Sequence, residues 1–292
     1  MKNSILLLLF LVIAYSCSNT QKQDDGNLNL VVSILPQKYF LEKIAGDKAV
    51  DITVMIPPGV SPAIYDPTPK QIAKLSDADI YFMIGHIGYE NAWISELKKN
   101  NPELKFINVS EGIPLIHGGH SHGEEDHEEH GVDPHTWMSP RNVMIIAQNI
   151  YKSLVEQDPD NQLYYAGNYN SFLKELKVLD STYQADLNSL PGRTFFIYHP
   201  ALTYFARDYG LEQVSVEKEG KEPSVKYMAD IVSLAREKNI KIIFVQREFD
   251  TEHAATVAEE AGAGLVVIDP LAEDWNEGIN HIVSELKNAL SQ

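Results

Sequence analysis

The chain has 292 residues, a net charge of −17, and 44% hydrophobic against 22% charged residues. That is too long for one ordinary core and about right for two modest domains of a soluble globular protein. The acidic balance excludes a nucleic-acid partner, which needs a basic face; it reads equally as a solubility device or as the surface of a cation-handling protein.

The N-terminus stands apart from the fold. Lys2 precedes an apolar run from Ile5 to Ala14, then Tyr15, Ser16 and Cys17. This is the layout of a secretory signal over residues 1–17, and the run is too short for a membrane span. Cys17 is the single cysteine, so no internal disulfide forms. Its place resembles a bacterial lipoprotein box, in which the cysteine becomes the acylated first residue. Tyr15 departs from that box, and a plain signal peptide with an incidental cysteine is the other reading. Residues 18–28, opening SNTQKQDDGN, are polar and patternless and read as a flexible tether. No later segment is apolar enough to span a bilayer, so the mature protein is expected on the periplasmic or cell-surface side of a bacterial membrane, held by lipid.

From there short apolar runs alternate with helical periodicity. Residues 29–158 predict strands at 30–35, 52–56, 80–84 and 105–109, with helices near 38–45, 70–75 and 89–99. Residues 191–292 predict strands at 194–198, 213–216, 241–245 and 264–268, with helices near 202–209, 225–237, 251–260 and 275–290. Such alternation implies parallel sheets with helices on both faces. The expected fold is α/β, with two similar lobes that each carry a four-stranded parallel sheet. In the last helix Ile279, Ile282, Val283, Leu286 and Leu290 share one face. Between the lobes, residues 159–190 repeat Tyr169, Leu173, Leu176, Leu179, Tyr183, Leu187 and Leu190 every three or four positions. That predicts one amphipathic helix of about 30 residues, roughly 45 Å long. It is either a stiff connector crossing both lobes or a long surface helix inside one of them.

Residues 117–130 read HGGHSHGEEDHEEH and hold His117, His120, His122, His127 and His130 among acidic residues and glycines. Such a stretch packs into no core and predicts a mobile loop. Imidazole and carboxylate donors suit Zn2+, so it reads as an auxiliary metal loop, with a merely solvated acidic loop as the alternative.

Ligands of open parallel sheets bind beyond the carboxyl ends of the strands. His86, His199 and Asp269 each follow a predicted strand there, and His135 sits in Asp133-Pro134-His135-Thr136-Trp137 ahead of a helix starting near Pro140. Three imidazoles and a carboxylate make a tetrahedral zinc set. Taken singly, each His is also a hydrogen-bonded core or loop residue, and Asp269 before Pro270 is also a turn cap. Arg247, Glu248 and Asp250 follow the strand at 241–245 and either line the same cleft or form a helix-start loop capped by Asp250. His253 and His281 read as surface or packing residues, and Trp93, Trp137 and Trp275 as core.

These residues resemble the solute-binding lipoproteins of ABC importers for zinc and manganese, the cluster A-I or cluster 9 family, across the whole mature chain. The resemblance rests on Pro57-Pro58-Gly59-Val60-Ser61-Pro62 with Tyr65-Asp66-Pro67-Thr68-Pro69, on Asp133-Pro134-His135-Thr136-Trp137, and on His199 followed by Tyr204-Phe205-Ala206 and Tyr209-Gly210-Leu211; Glu222-Pro223-Ser224 and Asp269-Pro270-Leu271 complete it. It implies two lobes joined by a long rigid helix, a metal between them, and an ABC-type permease as membrane partner of a monomer. It carries over His135, His199 and Asp269 as ligands, and His199, where manganese members tend to have Glu, favours Zn2+ over Mn2+. The family's first ligand follows the Ser-Pro pair, where this chain has Ala63. His86 is expected to replace it, since Gly85 and Gly88 permit close backbone approach; Tyr65, Asp66, Glu90 or a water are other fillers, with Glu90 expected chiefly to cap or support the next helix.

The expected activity is capture and delivery of one Zn2+, with affinity falling as pH drops through the imidazole range, about 6.5 when unperturbed. A manganese-binding member of the same family is the nearer alternative. A secreted zinc-dependent hydrolase is the rival from another class, and the chain has no HExxH, nucleophile elbow or phosphate-cradling glycine loop. A surface adhesin or a bare zinc buffer is a third.

Overall fold

The first strand, β1 (Leu28–Val32), is buried along almost its whole length. That is what a Leu/Val run does inside a parallel sheet covered on both faces. It pairs in parallel with β2 (Ala49–Val54) and β3 (Ile80–Met83), placing Leu30 opposite both Ile52 and Ile80. With β4 (Lys105–Asn108) the order is β2-β1-β3-β4. Helices α1 (Leu35–Ala45), α2 (Pro69–Lys74) and α3 (Gly88–Asn100) make the crossovers. In the second half β5 (Thr194–Ile197), β6 (Glu212–Ser215), β7 (Ile242–Gln246) and β8 (Gly264–Ile268) form a second parallel sheet, in the order β6-β5-β7-β8. The strand order of the first lobe is thus repeated, and the expected pair of four-stranded lobes is present. The structure, a computed structural model, describes residues 28–117, 131–217, 223–249 and 252–291. Cys17, His120, His122, His127, His130, Glu222 and Asp250 lie outside the described residues.

Observed α7 (Val225–Glu237), β8 and α9 (Trp275–Leu290) coincide with their predicted bounds. β1 ends earlier than its apolar run suggests. The Gln37 side chain accepts the Ser33 and Ile34 amides at 3.0 and 3.1 Å, which diverts them from the ladder. Pro36 sits in the first turn of α1, where its missing N–H costs nothing.

The long helix is α5 (Gln162–Asn188), of 27 residues, or about 40 Å. It follows α4 (Pro140–Gln157) and touches both lobes. On the first, Asn168 donates to the Ile44 carbonyl at 3.1 Å and Glu175 pairs with Lys43 at 2.8 Å. On the second, Tyr183 donates to Asn280 at 2.9 Å and Asp186 pairs with Lys287 at 2.6 Å. It is the connector rather than the surface helix of one lobe.

The lobes share a core. A single buried cluster runs from Phe40 and Tyr81 through Leu176 to Phe244 and Leu286. A smaller one, with Val216, Ile231, Ile243 and Val257, lies beneath α7 and α8 (Glu252–Ala261). Two tryptophans tie the junction. Trp275 meets Phe40 edge-on at 5.2 Å and donates to the Trp137 carbonyl at 2.9 Å, while Trp137 donates to the Pro270 carbonyl at 2.8 Å. All three predicted core tryptophans are placed; Trp93 is only partly buried, and Trp137 also faces the cleft described next. No described helix is long and apolar enough to cross a membrane.

Candidate metal centre

His199 leaves the carboxyl end of β5 with its backbone held by Gln246, whose amide oxygen accepts the His199 N–H at 3.3 Å and whose amide nitrogen donates to the His199 carbonyl. His135 opens a short 3-10 turn, Thr136–Met138, anchored by a 2.8 Å hydrogen bond between the Thr136 and Ser110 hydroxyls. Each imidazole then meets a carboxylate through Nδ1. His135 meets Asp133 at 2.9 Å, and His199 meets Glu217, which is only 4% exposed, at 2.7 Å. A carboxylate accepts only from an N–H, so the hydrogen-bond network assigns the proton of each neutral ring to Nδ1. The lone pairs are left on the two Nε2 atoms, which face each other at 3.3 Å. Two acceptors at that distance repel unless a cation or proton joins them. Carboxylate–imidazole pairs of this form hold and sharpen metal ligands. Burial alone would raise the Asp133 carboxyl, but His135, by charge and hydrogen bonds, holds it below its ordinary value.

Asp269 lies just beyond β8 and is not among the residues that line the cleft, although Pro270 and Leu271 are. One oxygen accepts the Leu271 amide at 3.0 Å and the other lies 3.7 Å from Arg247. Among the described residues no three His, Cys, Asp or Glu side chains already converge on an ion-sized point. Of the expected ligands, the structure brings together His135 and His199. Glu248 reaches the cleft, and burial, with Asp269 adding to it, raises its carboxyl above the ordinary value. Phe249 stacks on the His199 ring at 4.8 Å.

The cleft around the imidazoles has a volume of about 390 Å³. Its second-lobe wall carries His199, Glu217, Gln246 and Glu248, whereas the first lobe contributes Ser61, Pro62, Ala63, Ile64, Ile87 and Gly88. His86 is half-buried, has the left-handed backbone conformation (φ 67°), and is not among the residues that line the cleft, although Ile87 and Gly88 are. Gly88 does permit close approach: a Cβ there would lie 2.1 Å from the Ala63 carbonyl, and the Tyr89 amide donates to Pro62 at 2.9 Å. The other first-lobe fillers are engaged. Tyr65 donates to Gln71 at 2.7 Å, and Asp66 accepts from Trp93 at 3.0 Å. Glu90 is buried behind the wall, accepting from Ile84, Gly85 and Ser33. Glu90 therefore supports the turn before α3 instead of facing the cleft.

The described residues on either side of the His-rich segment meet next to this site. Exposed His117 forms an isolated antiparallel bridge with Val132, and Tyr204 donates to the Asp133 carbonyl at 2.8 Å while accepting the Ile116 amide at 3.2 Å. Sequence reading found both imidazoles but not the carboxylates that orient them. Asp133, two residues before His135, was legible as a turn residue; Glu217 carries no local signal, because only the fold brings it to His199. His281 is exposed, as expected.

Comparison with known proteins places the chain in a family. Residues 30–289 match the family model described as the periplasmic zinc-uptake complex component A, ZnuA. The high-affinity zinc uptake system protein ZnuA of Bacillus subtilis is 31% identical over 300 residues, covering 95% of this chain and 92% of that protein. The zinc-binding lipoprotein AdcA of Streptococcus pneumoniae is 33% identical over 301 residues, and there the match takes in 97% of this chain but only 58% of the relative. Among solved structures, a crystal structure of ZnuA superposes with a TM-score of 0.85 at 38% identity, covering 91% of this chain and 100% of that one. A Zn(II)-bound AdcAII variant of S. pneumoniae gives a TM-score of 0.79 at 25% identity, covering 91% and 99%. Two repeated lobes, a helix spanning both and a pair of carboxylate-held imidazoles between them thus sit in a chain that belongs to the zinc-uptake complex component A family, the substrate-binding components of transporters rather than enzymes.

Proposed function

We propose that this chain captures Zn2+ between its lobes and hands it to an ABC-type permease. The observation that carries the proposal is the pair of Nε2 atoms 3.3 Å apart, each ring fixed by a carboxylate on Nδ1. A Zn2+ entering between them takes both lone pairs, and Asp269 turns from Arg247 to supply a third donor. Nitrogen donors favour zinc over manganese, which prefers oxygen. His117 and the four histidines that follow it in sequence, up to His130, collect zinc for the site, and the bridge from His117 to Val132 leads to Asp133 and His135. Cys17 carries the lipid that keeps the protein, as a monomer, at the membrane beside its permease. The fourth donor is His86, if the turn at 84–88 rearranges, or another group; the apolar first-lobe wall favours the second.

The test is a competitive titration of chelator-stripped protein lacking residues 117–130 against zinc and manganese. One tight zinc site with much weaker manganese binding is expected, lost in His135→Ala and in His199→Ala. Tight binding that survives both substitutions would remove the cleft as the site.

A further inference from the structure

The second lobe presents one metal-capable side chain just past the carboxyl end of each of its four strands. In sheet order these are Glu217 after β6, His199 after β5, Glu248 after β7 and Asp269 after β8. Strand β7 therefore separates His199 from Asp269. Its last residue, Gln246, holds the His199 backbone on one side and pairs with Ile268 on the other. Neighbouring strands lie about 4.8 Å apart, which sets the ends of β5 and β8 about 10 Å from each other. A cation shared by His199 and Asp269 thus lies over the end of β7, where Glu248 stands.

The carboxylates of this region differ in what already holds them. Asp133 is taken by His135 and Glu217 by His199, each through Nδ1. Asp269 accepts the Leu271 amide and faces Arg247. Glu248 is half-buried and lines the cleft together with both imidazoles. Apart from its own backbone amide, nothing among the described residues donates a hydrogen bond to its side chain. A carboxylate removed from water without a partner is costly to ionise, and a cation placed against it offsets that cost.

From this placement we infer that Glu248 is an oxygen ligand of the transported ion, binding it beside His135 and His199. With Asp269 the chain then supplies four donors, a complete tetrahedral set for zinc. The donor that Ala63 cannot provide from the first lobe comes instead from the second. The set has two nitrogens and two oxygens, so the preference for zinc over manganese rests on the imidazole pair alone. The inference deepens the zinc-capture reading and depends on it.

Cobalt(II) is the probe of the donor set, because its visible absorption responds to the number and kind of its ligands; zinc affinity is read by competition with a chromophoric chelator. Both are measured on chelator-stripped full-length protein with no more than one equivalent of metal, so that the tightest site fills first. The variant is Glu248→Gln, which keeps the size of a half-buried turn residue and removes its anionic oxygen. It is expected to weaken zinc by about 100-fold or more, at least what loss of a group behind a ligand costs, and to change the cobalt spectrum. A cobalt spectrum identical to that of the natural chain overturns the inference even where affinity falls, because a carboxylate acting only through its charge leaves the donor atoms as they were. Unchanged zinc affinity overturns it as well. His199→Ala, measured alongside, separates the two readings. Tight zinc lost there but kept in Glu248→Gln removes Glu248 and leaves the cleft as the zinc site, whereas tight zinc kept in both removes the cleft.

Discussion

Glu90 offers a test that needs no metal. Its carboxylate lies behind the first-lobe wall of the cleft, accepting from the Ile84 amide at 2.8 Å, the Gly85 amide at 2.6 Å and the Ser33 hydroxyl, with the hydroxyls of Tyr81 and Tyr89 close by. No cation faces it among the described residues. Burial raises its pKa from 4.5 to about 7 against the lowering effect of those three donors. A carboxyl whose folded pKa is raised binds its proton more tightly in the folded state. Its contribution to stability is therefore complete below pH 4.5 and is lost as pH rises to about 7. At 1.36 kcal/mol per pKa unit, the loss is roughly 3 kcal/mol. Other groups titrate in the same window, so the measurement is a difference. Denaturant unfolding of metal-free protein is followed from pH 4 to 8 for the natural chain and for Glu90→Gln, which cannot ionise. The gap between the two curves is expected to change by about 3 kcal/mol in favour of the variant across that range. The constant offset between them reflects the Gly85 amide, which loses its acceptor in the variant. A gap that stays flat between pH 4.5 and 7.5 would refute the argument that this carboxylate is ionised at the expense of burial.

Glu217→Ala removes the partner of His199 Nδ1 and is expected to weaken zinc binding about 10- to 100-fold with little change in fold, as read by competitive titration. Gly88→Ala places a methyl 2.1 Å from the Ala63 carbonyl; it should displace residues 61–64 and cost about 1–3 kcal/mol in a denaturant melt. Arg247→Ala frees Asp269 from an exposed ion pair, so zinc should bind up to about fivefold more tightly, the ceiling for a surface pair.

The fold was legible because its elements are periodic and cleanly punctuated. Val225–Glu237 follows Pro223 and is capped by the Ser224 hydroxyl, and Trp275–Leu290 is capped by Asp274; both were read to the residue. Strand β1 was misplaced because its apolar run continues into Ile34 and Leu35, and only the Gln37 side chain reveals where the ladder stops. The site was legible in part for the same reason. His199 and Asp269 could be found because parallel sheets present the ends of their strands to a ligand, and His135 because it sits in a compact turn motif. What escaped was pairing at long range. Glu217 lies 18 residues from His199 and Arg247 lies 22 from Asp269, and no periodicity links them. Glu248, read as either a cleft residue or part of a helix-start loop, proved to face the cleft.

The core that joins the lobes also bears on how the chain matures. Phe40, near the start, finishes its packing against Trp275, and Trp275 in turn holds the carbonyl of Trp137. A chain emerging amino end first can form its early strands and helices, but the leading half lacks a wall until nearly all of the sequence has followed. Incomplete cores of this kind stay loose and reversible. The contact that unites the lobes therefore also sets when the fold can close: late, with the arrival of the last helix.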